Sequence, residues 1–424
     1  MRIISIFHKL CVTLPLVLLF MLPCMALAET RPENPMLKAS ELVPDIESPR
    51  LLKTGEERGV ARPLSISVSP NDHKANLAIE ASFRMFTQSM KPRFSMWLER
   101  SGRYVEAMQE ILKERDMPVE LVFLPIVESG FNPKAYSRAR AAGPWQFISG
   151  TAKRYGLAID WWKDERKDPI KSTIAATRYL NDLYNMFGSW SLALAAYNAG
   201  EGRIAKALRK SKSEDFWELL GTKHIRKETK NYVPQYIAAA MIAKSPKEYG
   251  FDDLAYHKPF EYDEVVIYLP VDLDVIAECS GTDVDNIREL NPELRRWSTP
   301  PNVEEYSLRI PAGKADSFIE NLNKVPDDKL FSYDTYVVKK SDTMKKIAAR
   351  LKVPVSAIIE LNSLTSIDNL RSGHEIKLPP QGKYFADIDD RMTAKKNARK
   401  KQVKHSKKVK NTDTKTVKKH AAKA

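Results

Sequence analysis

Residues 121–130 (LVFLPIVESG) place one carboxylic acid, Glu128, at the end of an otherwise apolar run and follow it with residues that end helices. Val119, Leu121, Val122, Phe123, Leu124, Ile126 and Val127 put apolar side chains all round a helical wheel, so a helix here has to be largely buried. Glu128 then leaves water with it. Burial disfavours the ionised carboxylate, and the partial negative charge of a helix C-terminus disfavours it further, so both effects push the pKa upward. An acid held this way keeps its proton near neutral pH and can serve as a general acid. Gly130 reads as a C-cap and Asn132-Pro133 as a stop, while Pro125 inside the run removes one backbone hydrogen bond and predicts a kink. Burial alone leaves two readings open: a catalytic acid, or a structural glutamate paired with Arg or Lys.

At 424 residues the chain has material for roughly two to four domains and a sizeable core. A hydrophobic content of 43% with 29% charged residues describes a soluble, globular body. The first segment differs: Arg2, His8 and Lys9 precede an apolar stretch at 10–22, and Ala26-Leu27-Ala28 offers small residues to a signal peptidase. Residues 1–28 therefore read as an export signal, too short and wrongly flanked for a membrane span. An uncleaved anchor is the alternative, and a lipoprotein at Cys24 ranks lower because Pro23 and Met21 make a poor lipobox. Cys11 and Cys24 lie in that signal, so only Cys279 survives its removal and no internal disulfide is expected. Export without disulfides points to a bacterial periplasm or cell envelope. The seven histidines are scattered with no HExxH or CxxC spacing, so neither a metal site nor a cofactor is expected.

The net charge of +14 is concentrated at one end. Residues 391–424 hold fourteen Lys or Arg against one acid, Asp413, and no aromatic residue, which leaves the rest close to neutral. A segment of that composition cannot bury a core, and 390–424 is expected to be a disordered polybasic tail. It is either solvated with no partner or drawn to an anionic envelope polymer or a membrane surface. Nucleic acid is not an expected partner, because the body offers no reading motif and the chain is exported.

Residues 29–74, with Pro32, Pro35, Pro44, Pro49, Pro63 and Pro70, read as an extended lead-in. Helical periodicity predicts helices at about 75–90, 93–100, 103–115, 149–156, 171–187, 190–199 and 229–243. Turn signals fall at Gly156, Gly188, Gly200-Glu201-Gly202 and Pro246, giving an all-α domain over 75–250. Strand-like residues first appear at 264–269. A small β-α-α-β unit then occupies 334–380, with a strand at 336–338, helices at 343–351 and 354–360, and a strand at 374–378. An earlier stretch, 265–312, shows a related order: helices at 273–277 and 284–290 and a strand at 306–310. The two align as a diverged repeat.

Three ordered motifs surround the acid: ESGFNPKAYSRARAAGPWQF at 128–147, AAYNAGEGRI at 195–204 and ETKNYVPQ at 228–235. Together they resemble the lytic transglycosylases of the goose-lysozyme-like superfamily, and the resemblance covers most of the chain. It implies a mainly α fold: a lysozyme-like all-α catalytic domain followed by small βααβ LysM-type modules. It also implies cleavage of the β-1,4 bond between N-acetylmuramic acid and N-acetylglucosamine in peptidoglycan by one glutamic acid. Glu128 would protonate the glycosidic oxygen, then take the proton of the muramyl 6-hydroxyl as it closes a 1,6-anhydro ring. Two-carboxylate glycosidases need a second acid, and Asp160, Asp164, Glu201 and Glu228 remain open for that place. A hydrolytic muramidase and a catalytically inactive peptidoglycan-binding protein are the competing readings.

By the same resemblance, Ser129, Ser137, Gly143, Trp145, Gln146, Phe147, Tyr197, Asn198 and Tyr232 face the substrate. The hydroxyl of Ser137 would orient the glutamate or the sugar's N-acetyl group, or simply cap the next helix. Gly143-Pro144-Trp145-Gln146-Phe147 stands where many relatives carry Gly-Leu-Met-Gln, and Trp145 matches the D-type subgroup. Its indole either stacks on a sugar or belongs to the core. Glu228 matches an acidic residue of variable role. The 334–380 unit resembles LysM, which recognises N-acetylglucosamine-containing glycans, with Asp342, Thr343, Met344, Leu361 and Asn362 as glycan-binding candidates. Ser341 replaces the glycine usual before that Asp-Thr pair. The implied partner is the peptidoglycan glycan strand.

Overall fold

The computed structural model describes residues 72–364 and 371–380, together with Ile6, Phe7, Ile66 and Lys383. Most of the expected export signal and lead-in, and all of the basic tail, lie outside the described residues.

The chain is mainly helical. Asp72 opens α1 (His73–Arg84) by accepting the Ala75 N–H at 3.0 Å, and one π-helical turn (Met85–Ser89) leads into α2 (Lys91–Ser101). Then follow α3 (Val105–Lys113), a 3₁₀ segment (Val119–Phe123), α4 (Leu124–Ser129) and α5 (Ser149–Arg154). Next come α6 (Pro169–Phe187), α7 (Trp190–Ala199), α8 (Glu201–Ser211), the short α9 (Phe216–Leu220) and α10 (Lys227–Lys244), of which α6 and α10 are the longest helices among the described residues. In α6, Asp168 caps the N-terminus through the Ile170 and Lys171 N–H groups, and Pro169 fills a first-turn position where no N–H is needed.

α7 is the central element. Trp190 through Ala196 are all buried, and its alanines let α6, α8 and α10 approach closely on different sides. Sustained burial on every face is why its sequence is almost wholly apolar.

Two expectations need correction here. The apolar run before Glu128 is not one kinked helix: it divides into the 3₁₀ segment and α4, and Pro125 sits in the first turn of α4. The missing N–H costs nothing there, so no kink arises. The Gly200-Glu201-Gly202 turn is narrower than expected, since only Gly200 (φ +91°) makes the corner and α8 begins at Glu201. α8 buries only Ile204 and Ala207 among many charged residues, too weak a stripe to announce itself.

Beyond α10, β2 (Tyr262–Ile267) pairs antiparallel with β3 (Tyr306–Pro311), Tyr262 opposite Pro311 and Ile267 opposite Tyr306, and also with β1 (Ile6–Phe7). Helices α11 (Leu273–Ser280) and α12 (Val284–Leu290) lie between β2 and β3, and α13 (Ala315–Lys324) packs on α11. This module has its own core, with Val265, Ile276, Ile287, Leu308, Ile310 and Phe318 among its buried members. After the single turn α14 (Asp327–Leu330) comes the second βααβ module: β4 (Asp334–Val337), α15 (Met344–Leu351), α16 (Val355–Leu361) and β5 (Glu375–Leu378), the strands antiparallel. Trp161 and Trp162 from the helical region and Trp297 from the first module join its core. Trp162 Nε1 donates to Glu360 of α16 at 2.8 Å.

Candidate active site

The local sequence fixes the end of α4 tightly. Gly130 closes it in the left-handed region (φ +59°), its N–H bonded to the Ile126 carbonyl at 3.0 Å. A Cβ at Gly130 would lie 2.2 Å from the Trp97 ring of α2, so both the angle and the close approach require glycine. Arg100, also on α2, spends its guanidinium on the Gly130 carbonyl (2.7 Å). Ser129 Oγ donates to the Pro144 carbonyl at 2.8 Å and accepts the Asn132 N–H at 3.2 Å, tying α4 to the loop that follows.

Glu128, on the last turn of α4, is half-buried. Tyr232, from α10, donates its hydroxyl to Glu128 Oε1. No Lys or Arg among the described residues forms an ion pair with Glu128, so the structural-pair reading lacks its cation. Desolvation raises its pKa to about 7; the Tyr232 hydrogen bond opposes the shift and the charge of Glu228 adds to it. The helix-end partial charge invoked from the sequence has little length behind it, because α4 is a six-residue helix. Tyr232 and Tyr197 are driven well above the usual phenol range, first by burial and then by the Glu128 charge, and so stay neutral donors.

Tyr197 and Asn198, at the end of α7, lie beside this pair. The Tyr197 hydroxyl donates to the Trp145 carbonyl at 2.7 Å, and Asn198 Oδ1 accepts from the Thr229 hydroxyl of α10 at 3.0 Å. The 135–147 loop is clamped from behind by Arg166, a fully buried guanidinium that holds Asp164 at 2.7 and 2.8 Å and the carbonyls of Arg140 and Phe147 at 2.8 and 3.1 Å. Gly143 (φ +81°) rests on that clamp: a Cβ there would fall 1.7 Å from the Arg166 carbonyl oxygen. Gln146 also has a positive φ (+50°) and donates its amide to the Gly143 carbonyl at 2.8 Å. Ser137 Oγ accepts the Ala141 N–H at 3.0 Å and closes its own turn.

Two of the expected substrate contacts are corrected. Trp145 is completely buried, and its indole N–H donates to Thr173 of α6 at 2.8 Å, so its ring is core and only its carbonyl turns toward the site. Phe147 is 2% exposed and packs against the rings of Tyr179 and Tyr197. Three of the four acids left open as a second carboxylate are engaged elsewhere. Asp160 accepts the N–H groups of Trp162 and Lys163, Asp164 holds Arg166, and Glu201 faces Arg154 and the Tyr179 hydroxyl. Thr173, Thr229 and Arg166 went unsingled by sequence reasoning. Each acts on a site residue through a long-range or buried contact that no local pattern announces.

The module residues resolve differently. Met344 and Leu361 are buried in the second module's core, which removes their side chains from a glycan-binding role. Asn362 donates to the Ile358 and Lys377 carbonyls (both 2.8 Å) and accepts the Lys377 N–H at 2.6 Å, joining α16 to β5. Asp342 accepts the Tyr336 hydroxyl at 2.6 Å and the Lys339 N–H at 3.0 Å, and Thr343 caps α15. All five are therefore explained first as parts of the fold.

Residues 107–220 match the family "Transglycosylase SLT domain", residues 261–327 the "Lytic transglycosylase MltD, LysM-like domain" and residues 336–379 the "LysM domain". The chain is similar to the membrane-bound lytic murein transglycosylase D of Escherichia coli (strain K12), 34% identical over 282 residues, covering 63% of this chain and 61% of that protein. It is also similar to the membrane-bound lytic murein transglycosylase C of Haemophilus ducreyi, 26% identical over 159 residues, covering 32% of this chain and 43% of that protein. The chain thus spans about 61% of the length of the first of these relatives. Among solved structures, the 70 kDa soluble lytic transglycosylase of Escherichia coli matches 44% of this chain and 32% of its own, at 22% identity and a TM-score of 0.33.

Proposed function

We propose that this chain, which carries a transglycosylase SLT domain followed by two LysM-type modules, is a lytic transglycosylase of the bacterial envelope that cleaves the β-1,4 bond between N-acetylmuramic acid and N-acetylglucosamine. The observation that carries the reading is the state of Glu128: half-buried, free of any cation among the described residues, held by the Tyr232 hydroxyl, with a pKa of about 7. Such an acid is protonated often enough near neutrality to give its proton to the glycosidic oxygen. Once ionised, it is stabilised by the same Tyr232 hydroxyl and can take the proton of the muramyl 6-hydroxyl. That oxygen bonds to the anomeric carbon as the glycosidic bond breaks, leaving a 1,6-anhydro ring and a free 4-hydroxyl on the departing sugar. One proton enters, one leaves, and no water is consumed.

The other site residues act on this pair. Tyr197 holds the 135–147 loop by its hydrogen bond to the Trp145 carbonyl, and Asn198 is oriented by Thr229. Ser129, Ser137, Gly143 and Gln146 shape that loop, and the LysM-type modules keep the domain on glycan strands. The basic tail adds attraction to an anionic polymer or membrane surface. Removing 391–424 is expected to weaken sacculus binding at low salt, with the difference fading as salt rises.

Hydrolysis is the second reading, favoured by the charge of Glu228 reaching Glu128, since a hydrolase needs a second carboxylate to activate water. Mass spectrometry of soluble products from purified sacculi separates the two by the mass of one water. Anhydromuropeptides that vanish with Glu128→Gln are the expected result, and reducing muramic acid ends would overturn it.

A further inference from the structure

Five consecutive charged residues, Asp164, Glu165, Arg166, Lys167 and Asp168, are all buried. Such a run ordinarily stays in water, and charges taken out of it need partners. Some partners belong to the helical region itself: Asp164 holds Arg166, and Glu165 faces Lys163 and Lys171 at 3.2 and 2.8 Å. Others come from the first module. Arg309 of β3 reaches Asp168 at 2.8 Å and the Leu290 carbonyl at 3.3 Å. Glu293 lies 3.9 Å from the same guanidinium and accepts the Tyr306 hydroxyl at 2.8 Å. Asn291, completely buried, fixes the β3 backbone at this point by accepting the Arg309 N–H at 2.9 Å and donating to its carbonyl at 2.7 Å.

Main-chain hydrogen bonds cross the same boundary. The Asp164 N–H donates to the Glu293 carbonyl at 2.9 Å, and the Arg295 N–H to the Trp162 carbonyl at 2.8 Å. The Arg295 guanidinium donates to the Asp160 carbonyl at 2.5 Å. Segment 160–168 is therefore held along one side by the module. Its other side is the back of the active-site loop, where Arg166 holds the Arg140 and Phe147 carbonyls and Gly143 rests on the Arg166 carbonyl. From that loop the Pro144 carbonyl accepts the hydroxyl of Ser129, next to Glu128, and the Trp145 carbonyl accepts the hydroxyl of Tyr197. Domains that merely share a chain ordinarily meet through modest interfaces and move relative to one another. A buried charge cluster crossed by main-chain bonds does not permit that.

We propose that the first module is part of the catalytic scaffold, with Arg309 as a positioning residue that holds segment 160–168 so that Arg166 sets the 135–147 loop against Glu128. The inference rests on the transglycosylase reading above. It gives the module a task separate from keeping the domain on glycan: without it, the acid and its neighbours lose their mutual geometry rather than their access to substrate.

Two measurements on the full chain test this, each made on Arg309→Met and on Arg295→Met. The second variant loosens the same segment at its other end and leaves the Asp168–Arg309 pair in place. One measurement is turnover of soluble, uncrosslinked peptidoglycan strands, for which tethering to an insoluble sacculus plays no part. Per folded molecule, kcat is expected to fall at least about tenfold in Arg309→Met and less in Arg295→Met, with KM within about twofold of the parent, since a misplacement of about 1 Å can cost about 10²-fold. An unchanged kcat, or a loss seen only with sacculi and traced to their binding, overturns the proposal. The other measurement needs no turnover: backbone amides of 140–147 are expected to exchange hydrogen at least about tenfold faster than in the parent, while those of α7 keep the parent's rates. Unchanged exchange in the loop overturns the proposal, as does an acceleration spread evenly over the helical region in Arg295→Met, which would make these contacts general supports of stability. If Arg309→Met does not fold, Arg295→Met decides both measurements. Should the parent itself show no Glu128-dependent cleavage, the enzymatic reading falls, and the exchange result still judges the coupling of module to loop on its own.

Discussion

Two regions of this molecule bury acids, and they do it to opposite ends. At the end of α4, Glu128 is desolvated with a phenol for company, and its pKa rises to about 7. Where the helical region meets the first module, Asp168 is completely buried but faces Arg309 of β3 at 2.8 Å. Burial pulls Asp168 upward too, yet Arg309, Lys171 and the Lys171 N–H outweigh it and hold the carboxyl below its usual range. Glu165 repeats the pattern, with burial overcome by Lys171 and Lys163. The lesson is that burial alone does not decide the protonation of a carboxyl. A cation in close contact can reverse its effect, as at Asp168 and Glu165, and the Glu128 site has none among the described residues.

Removing the acid is the sharpest way to break the contrast. Glu128→Gln is expected to lower turnover of sacculi by at least about 10²–10⁴-fold, the range attributed to general acid-base catalysis, with binding nearly intact. Equal turnover in the variant would show that Glu128 is merely a buried polar residue.

The paired site should fail in a different currency. Asp168→Asn leaves buried Arg309 with Glu293, 3.9 Å away, as its remaining acid, and breaking a buried pair costs up to about 3–5 kcal/mol of stability. Asp168→Asn/Arg309→Met should recover only part of that loss, because buried Glu293 then loses the cation it shares with Asp168. Denaturant unfolding midpoints measure both effects, and a single variant as stable as the parent would show that the pair contributes nothing across the module boundary.

Much of this division is readable in the sequence, and part of it is not. The uniform apolar run ahead of Glu128 announces a desolvated acid, and Gly188 and Gly200 mark where α6 and α7 stop. The partner of the acid is not announced: Tyr232 is 104 residues away, and only the motif resemblance ties it to the site. Trp145 illustrates the limit in the other direction. An indole that stacks on a sugar and one that bonds Thr173 inside a core have the same local sequence, and the contact to α6 decides between them. Met344 and Leu361 are similar, since a module this small needs its larger apolar side chains for its own core.

The two acids also predict opposite slopes of stability against pH. Glu128 has a folded pKa of about 7, above its ordinary 4.5. Its contribution is therefore fully present below about pH 4.5 and is lost as the pH rises through 7. The gap corresponds to about 3 kcal/mol. Glu128→Gln should thus gain up to about that much relative to the parent between pH 4 and pH 8. Asp168, with a depressed pKa, contributes at pH above 3.8, its ordinary value, and loses that contribution as the pH falls through its folded value. Unfolding free energies of the parent and each variant at several pH values check this, and a flat difference for Glu128→Gln would mean that the acid is solvated after all.

The smallest expected effect sharpens the comparison most finely, because it asks what the phenol does in place of a cation. The Tyr232 hydroxyl donates to the carboxylate and so favours the ionised form, lowering a pKa that desolvation has raised. Tyr232→Phe removes that donor while keeping the ring, and one hydrogen bond to a charged group is worth about 1.5–3 kcal/mol. Solvent already reaches the half-buried site, so the net change should sit at or below the lower end, about one pKa unit or less. The alkaline limb of the pH profile for kcat should move to higher pH, since Glu128 now holds its proton longer. Turnover at neutral pH should still fall if Glu128 acts as proposed, because the carboxylate assigned to collect the muramyl proton is then less stabilised. A limb that moves to lower pH, or one that stays while only KM changes, would make Tyr232 a substrate contact and leave Glu128 tuned by desolvation alone.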